Sequence, residues 1–194
     1  MPTRERILDA TRALCAEDGF QALTMRKVAS RVGVSAPAIY RHFGGKAELI
    51  GELVREARGA FEQTLDRALG GRTPRERFDL AGDAYLDFAL EQPQAYELLF
   101  LTSNQLGLFR MPNSLDAWGR EPPPSFQFCV DRVQECMDAG DFRPGDATAV
   151  ALMVSSLAHG IVALHLAGRF GDDVDRLRSF YRQSLELALE GVRS

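Results

Sequence analysis

Apolar residues recur at three- and four-residue steps along almost the whole of this chain. That spacing places apolar side chains on one face of an α-helix, whereas a half-buried strand would show a period of two. Period-two alternation bounded by turns is not evident anywhere in the sequence. The pattern therefore predicts an all-α protein, with about nine helices when breaks in the pattern are taken as helix ends.

Two short helical patterns near the N-terminus are joined by a glycine. Val28 and Val32 fall on one face of the first, and Gly33 follows where the chain must turn sharply. Ser35 has the chemistry of a helix N-cap, and Pro37 falls in the first turn of the second helix, where its missing N–H costs little. This arrangement is typical of a helix-turn-helix, whose second helix enters the major groove of DNA.

The charge pattern favours the same interpretation. The stretch 24–46 holds five basic residues and no acidic one, in a chain whose net charge is -4. Residues 1–46 carry a net charge of +4, and the remainder carries -8. A basic segment joined to an acidic one directs the basic segment towards nucleic acid. The alternative is a helical hairpin whose basic face is merely solvated.

The segment from Gly33 to Leu49 resembles the signature of the TetR family of transcriptional regulators, and Arg4–Asp18 with Phe20 resembles that family's first helix. The resemblance covers roughly residues 3–50 specifically. It implies a three-helix DNA-binding domain at 1–46 and a helical regulatory and dimerisation domain at 47–194. It also implies operator binding as a dimer, usually released when a small molecule enters the C-terminal domain.

Carried over position by position, the resemblance implies that Thr24, Tyr40 and Lys46 hold the phosphate backbone. Phosphates are bound by cations, hydroxyls and helix N-termini, which these residues can supply. The residues of the second helix would lie near the bases. The candidate DNA-binding residues are Thr24, Arg26, Ser35, Ala36, Ala38, Tyr40, Arg41, His42 and Lys46.

The two C-terminal helical patterns are apolar over more than one face, so each must be covered on more than one side. We expect a two-fold dimer in which these helices form a four-helix bundle; the alternative is a monomer that buries them internally. The candidate dimerisation residues are Leu157, Gly160, Ile161, Leu164, Leu177, Phe180, Tyr181, Leu185 and Ala188. His159-Gly160 and Gly168-Arg169 also resemble a C-terminal subtype of the family marked by Trp and His-Gly, although the tryptophan is absent.

Aromatic residues of the central segments could enclose a pocket for a small, largely apolar or aromatic effector. Each of them could equally belong to the core. The candidate effector-binding residues are Tyr85, Phe88, Tyr96, Phe100, Trp118, Phe126, Met153 and His159. The segment between Thr102 and Pro124 is rich in glycine and proline and is expected to be irregular.

Several functional classes lack support in the sequence. No nucleophile elbow, paired-histidine metal motif or cofactor-binding glycine loop is present, so we expect no enzyme, cofactor or metal site. No apolar run approaches the ~18 residues of a membrane span, and no signal peptide is evident, so a cytoplasmic protein is expected. Cys129 and Cys136 lie on one helical face and leave open the alternative of a helical small-molecule or redox-sensing protein with little or no DNA binding.

Overall fold

The computed structural model describes residues 3–102, 118, 120 and 122–193, and within them it confirms the all-α prediction. The described residues also form a 3₁₀ helix at Arg67–Gly70, a π-helical segment at Glu97–Thr102 and an isolated bridge between Phe142 and Arg193. The expected irregular segment lies almost wholly outside the described residues. The nine α-helices of the described residues are α1 (Thr3–Asp18), α2 (Met25–Val32), α3 (Ala36–Tyr40), α4 (Lys46–Asp66), α5 (Pro74–Glu91), α6 (Pro93–Tyr96), α7 (Pro124–Asp138), α8 (Ala147–Leu166) and α9 (Val174–Leu189).

The chain divides into two compact units. The N-terminal unit comprises Met1–Ala60 and Gln94–Arg110, and the C-terminal unit comprises Phe61–Pro93 and Met111–Ser194. Helix α4 contributes its first residues to the N-terminal unit and its last residues to the C-terminal unit.

The core of the N-terminal unit is made by one apolar face from each of its first four helices. Fully buried side chains come from α1, α2, α3 and α4, and Phe43 joins them from the loop before α4. The polar face of α1 is tied to α4: Arg4 pairs with Glu52 at 2.8 Å, and Arg12 pairs with Glu56 at 2.6 Å. Surface ion pairs therefore tie α1 to α4, while α2 packs on α1 and α3 packs on α2.

The C-terminal unit is built on α5, which packs against α7 and α8, while α8 also packs against α7 and α9. Buried aromatic side chains fill these contacts, among them Phe78 and Phe142 in an edge-to-face pair with centroids 5.3 Å apart. The Tyr181 hydroxyl of α9 donates to the Gly82 carbonyl of α5 at 2.9 Å. Arg182 pairs with Asp83 through two 2.9 Å hydrogen bonds, which fix α9 on α5.

Helix ends follow the sequence signals closely. Thr73 caps α5 by accepting from the Glu76 N–H at 3.1 Å, and Thr73-Pro74-Arg75-Glu76 has the sequence of a capping box. The Glu76 carboxylate accepts from the Arg72 N–H at 2.8 Å, one residue before the capping residue. Helix α4 ends as an α-helix at Asp66 and tightens into the 3₁₀ helix at Arg67–Gly70.

The expectation that no apolar segment approaches the length of a membrane span does not hold for α8. Its 20 residues have a mean hydropathy of 1.9, and by length and composition alone they could cross a membrane. A core or interface helix of a globular protein passes the same test, so a single such helix is weak evidence. Only 33% of the apolar window is buried within the chain, which leaves much of the helix surface uncovered.

Among the glycines that the structure describes, Gly71, in the turn before α5, leaves the least room for a side chain. A Cβ added at Gly71 would lie 2.7 Å from the Arg77 backbone nitrogen, whereas a Cβ at the neighbouring Gly70 would meet nothing within 4 Å. Gly71 is buried and Gly70 is exposed. Packing therefore requires a glycine at position 71 but not at position 70.

We expect Gly71→Ala to lower the free energy of unfolding by about 1–3 kcal/mol, the usual cost of overpacking. Gly70→Ala, one residue away, is the matched control and should change it by less than about 0.5 kcal/mol. Urea denaturation followed by circular dichroism measures both. Equal effects of the two substitutions would contradict the close approach at Gly71.

Candidate DNA-binding surface

The start of α2 is fixed by Thr24. Its backbone is extended, and its hydroxyl oxygen accepts from the Lys27 N–H at 3.2 Å, which makes it the N-cap. Thr24 itself is exposed. A helix N-terminus with exposed N–H groups and a hydroxyl is suited to a phosphate, as the sequence predicts for this residue.

The turn between α2 and α3 depends on Gly33. Its φ of 77° lies in the left-handed region, where a side chain would be strained. The Gly33 N–H donates to the Ala29 carbonyl at 3.0 Å, and the Val34 N–H reaches the same carbonyl at 3.0 Å. These bonds end α2, and α3 begins after a connection of three residues.

Helix α3 presents small and polar residues outward over a single buried anchor, Ile39. Ser35 occupies the N-cap position, but its side chain makes no capping bond, and the residue is exposed. Ala36 and Ala38 are half-buried, and Tyr40 is 53% exposed. The helix ends at Tyr40, so the exposed Arg41 and His42 lie in the following turn rather than on the predicted helix.

Two of the five basic residues in the stretch 24–46 form ion pairs with carboxylates of α1. Lys27 pairs with Asp18 at 2.8 Å, and Arg31 binds both carboxylate oxygens of Glu17 at 2.5 and 3.0 Å. These hydrogen bonds hold the pKa of both carboxyl groups below their ordinary values. Sequence reasoning missed the pairs because Asp18 and Glu17 precede their partners Lys27 and Arg31 by nine and fourteen residues and meet them only through the packing of α1 on α2.

The other three cations have no carboxylate partner among the residues that the structure describes. Arg26 and Arg41 are exposed, and the Lys46 ammonium donates to the neutral Gln21 carbonyl at 3.1 Å. Lys46 is also the first residue of α4, whose own dipole disfavours a cation there. Among the described residues, the uncompensated positive charge of the stretch 24–46 is therefore carried by Arg26, Arg41 and Lys46.

The predicted effector-binding residues fall in both units. Tyr96 and Phe100 belong to the N-terminal unit, with ring centroids 4.9 Å apart. In the C-terminal unit the Tyr85 hydroxyl lies 3.1 Å from His159 Nδ1. Burial lowers the pKa of His159, so that its neutral form is favoured.

The remaining predicted effector residues also belong to the C-terminal unit. Phe61, which sequence reasoning did not include, packs against Tyr85 and Phe88 with centroids 5.9 and 5.0 Å away. Trp118 packs edge-to-face on Phe126 at 4.7 Å. Phe88 and Phe126 are buried, whereas Met153 is 38% exposed.

The predicted dimerisation residues separate into two groups. Within the chain itself Ile161, Leu177, Tyr181 and Leu185 are already buried, and they stabilise the C-terminal unit. Leu164 and Phe180 are 48% and 47% exposed, Gly160 is exposed, and Leu157 and Ala188 are half-buried. Further exposed apolar residues of α8, α9 and their connection are Leu166, Phe170, Val174 and Leu187.

The cysteines are poorly placed for redox chemistry. Burial raises the pKa of the Cys136 thiol to about 12 and also raises that of Cys129, which disfavours the reactive thiolate. No group of three or more potential metal ligands occurs in the part of the chain that the structure describes.

Thr24 and Ser35 differ in one respect that a stability measurement can detect. Thr24→Ala removes a capping bond and should lower the free energy of unfolding by about 1 kcal/mol. Ser35→Ala removes none and should change it by less than about 0.5 kcal/mol. Thermal and urea unfolding of the two variants test this difference, and an equal loss in both would contradict the assignment of the caps.

Comparison with known proteins agrees with this geometry. A family model described as bacterial regulatory proteins of the tetR family matches residues 7–53, and a model of the tetracyclin repressor-like C-terminal domain matches residues 78–187. A solved structure of a Rhodococcus sp. RHA1 protein of unknown function has a TM-score of 0.78 and 26% identity, covering 100% of this chain and 97% of that one.

Two curated relatives come from Mycolicibacterium smegmatis. The transcriptional repressor KstR is 40% identical over 77 residues, which cover 39% of this chain and 38% of KstR. The transcriptional activator FasR is 32% identical over 105 residues, covering 50% of this chain and 45% of FasR. The chain thus spans less than half the length of either relative. The two family models together cover most of the sequence, and they show that the chain belongs to the TetR family of transcriptional regulators.

Proposed function

We propose that this regulator binds a pseudo-palindromic operator as a homodimer, represses transcription there, and is released by a small, largely apolar or aromatic effector. The observation that carries the proposal is the exposed helix-turn-helix surface with three cations that lack a carboxylate partner among the described residues. Repression rather than activation is supported by the higher identity to a repressor, KstR, than to an activator, FasR. The protein would act in the cytoplasm, where its DNA target lies.

Each part of the surface suits one part of a DNA site. Thr24, Tyr40 and Lys46 supply hydroxyl groups and a cation for phosphates, which fix the position of the protein but carry no sequence information. The small side chains of α3 allow its backbone to come near the floor of the major groove. Ser35, Arg41 and His42 then offer hydrogen bonds to base edges, where an arginine can bind guanine with two donors.

Lys46 and Lys27 are the only lysines in the chain, and they provide a matched test. Lys46→Met should make the fall of log affinity with log salt less steep by ~0.9, because one phosphate contact is lost. The double variant Asp18→Asn/Lys27→Met removes the other lysine together with its partner and leaves the net charge unchanged, so its slope should stay near that of the wild type.

The measurement is fluorescence anisotropy with the DNA upstream of the protein's own gene, at several salt concentrations. Tight, saturable binding that exceeds binding to random DNA is the expected wild-type result. If the Lys46→Met slope equals the wild-type slope, Lys46 does not contact a phosphate. If no upstream or genomic fragment is bound better than random DNA, the proposed operator function is wrong.

The proposed dimer rests on the uncovered surfaces of α8 and α9. Phe170 and Phe180 contact each other with centroids 5.5 Å apart and remain 38% and 47% exposed. Leu164 of α8 and Leu187 of α9 are also exposed, at 48% and 66%. Contiguous apolar surface of this kind marks an interaction site, and a second copy of the chain would cover it. A dimer also suits half-sites about 34–36 Å apart.

Gly160 tests the dimer directly. A Cβ added there would meet nothing within 4 Å in its own chain, so in a monomer Gly160→Ala should only stabilise α8, by about 1 kcal/mol. If α8 meets its counterpart at this glycine, the added methyl group instead weakens dimerisation. We expect a higher dimer dissociation constant in sedimentation equilibrium, measured over a dilution series.

Gly59→Ala is the matched control for helix propensity, since Gly59 lies in α4 and also has nothing within 4 Å of the added Cβ. It should leave the dimer dissociation constant unchanged. A monomeric mass of the wild type at micromolar concentration, or an unchanged dissociation constant with Gly160→Ala, would argue against this interface.

Effector release would follow from a shift in populations. An effector that binds better to a conformation with wrongly spaced DNA-binding domains weakens operator binding, and by linkage the operator weakens effector binding equally. The Tyr85–His159 pair, with Phe61 packed against both Tyr85 and Phe88, supports an effector that is mostly apolar with a few polar contacts.

A further inference from the structure

Helix α7 carries an arginine within its inward-facing apolar positions. Arg132 is only 8% exposed, and it lies three residues after Cys129 and four residues before the fully buried Cys136. Positions at this spacing share one face of a helix. Its guanidinium carbon lies 4.6 Å from the centre of the Phe128 ring. A charge at such a position is costly unless it is paired and hydrogen-bonded.

The pairing of Arg132 is incomplete because its carboxylate partner is shared. Arg132 Nη2 donates to Glu135 Oε1 at 2.6 Å, and Arg77 Nε of α5 donates to Glu135 Oε2 at 2.9 Å. The Arg77 Nη1 also donates to the Gly71 carbonyl at 3.2 Å. Two guanidinium groups therefore surround one carboxylate, and this cluster keeps one positive charge in excess.

The excess charge and a missing hydrogen bond coincide at Arg132. Its Nε is buried and has no hydrogen-bond partner among the residues that the structure describes. The Arg77 side chain is 23% exposed, so water can solvate its charge, whereas the Arg132 side chain is only 10% exposed. A buried donor without an acceptor lowers the stability of the folded protein, and more so when the group is charged.

We propose that Arg132 Nε binds the carboxylate of the effector, which is an organic acid with one negative charge and an apolar body. This inference rests on the proposed function and names the chemical class of its effector. A single carboxylate balances the single excess charge, whereas a doubly charged phosphate would be repelled by Glu135. The Phe128 ring beside Arg132 favours an apolar body next to the charged group.

Binding of matched probes to the full-length protein, measured by isothermal titration calorimetry without DNA, tests the proposal. The probes are octanoate and phenylacetate, each compared with its neutral amide. We expect each acid to bind about tenfold or more tightly than its amide, the factor that a charge-assisted hydrogen bond supplies. If neither acid binds better than its amide, the proposal is wrong.

Substitutions then assign the preference to Arg132. Arg132→Met should abolish the preference for the acid, and Arg182→Met, the same change at the arginine paired with Asp83, should retain it. Glu135→Gln removes the competing carboxylate and should tighten binding of the acids while leaving the amides unchanged. A preference that survives Arg132→Met in a folded protein overturns the assignment.

A second measurement decides the matter even if Arg132→Met fails to fold. In the wild type, the side-chain Nε–H signal of Arg132 in a nitrogen–proton NMR spectrum should shift saturably with either acid and not with its amide. Unchanged Nε–H signals at calorimetric saturation would place the acid elsewhere. Operator anisotropy is measured separately, so loss of DNA binding with an intact acid preference would refute the proposed function and leave the Arg132 site standing.

Discussion

The turn at Gly33 is the constraint on which the DNA-binding surface depends. Its left-handed backbone ends α2 and lets α3 start after only three connecting residues, so that Val28 and Ile39 can both be fully buried. Burial of Ile39 fixes which side of α3 faces outward, because a five-residue helix has no second anchor of its own. The outward residues Ser35, Ala36 and Ala38 are therefore positioned by a single backbone conformation and a single buried side chain.

Electrostatic pairing then selects which cations remain for DNA. Arg31 and Lys27 are occupied by carboxylates of α1, and the exposed pairs contribute little to stability, as surface ion pairs generally do. Their effect is to restrict the uncompensated charge to Arg26, Arg41 and Lys46. A phosphate can compete for these three without first breaking an ion pair, which gives the surface a defined set of anchoring points.

The C-terminal unit contains polar side chains that are not needed to form its apolar core. The Tyr85–His159 contact and the Arg77–Glu135–Arg132 cluster each place polar atoms beside aromatic side chains. Buried polar groups lower stability unless they are fully satisfied, and their presence in a regulatory unit is consistent with recognition of a ligand. The exposed surfaces of α8 and α9 similarly leave apolar area that folding of one chain does not cover.

The sequence by itself determined the helical fold, the position of the turn and most helix ends. These features depend on local rules: apolar periodicity, the positive φ of Gly33 and the capping chemistry of Thr24 and Thr73 act over a few residues. It also indicated the family, because the residues from Gly33 to Leu49 form a continuous pattern. The boundary between the predicted domains at residue 46 stays a prediction.

Tertiary structure decided the features that depend on residues far apart in the chain. Only packing of α1 on α2 brings Glu17 and Asp18 to the basic residues, and only packing of α5 on α7 brings Arg77 to Glu135. Likewise, the apolar positions of α8 and α9 follow one periodicity, yet Leu185 is buried against α5 while Leu187 is exposed. Periodicity identifies an apolar position, but whether its side chain is covered depends on which helix faces it, and that is settled only when the helices assemble.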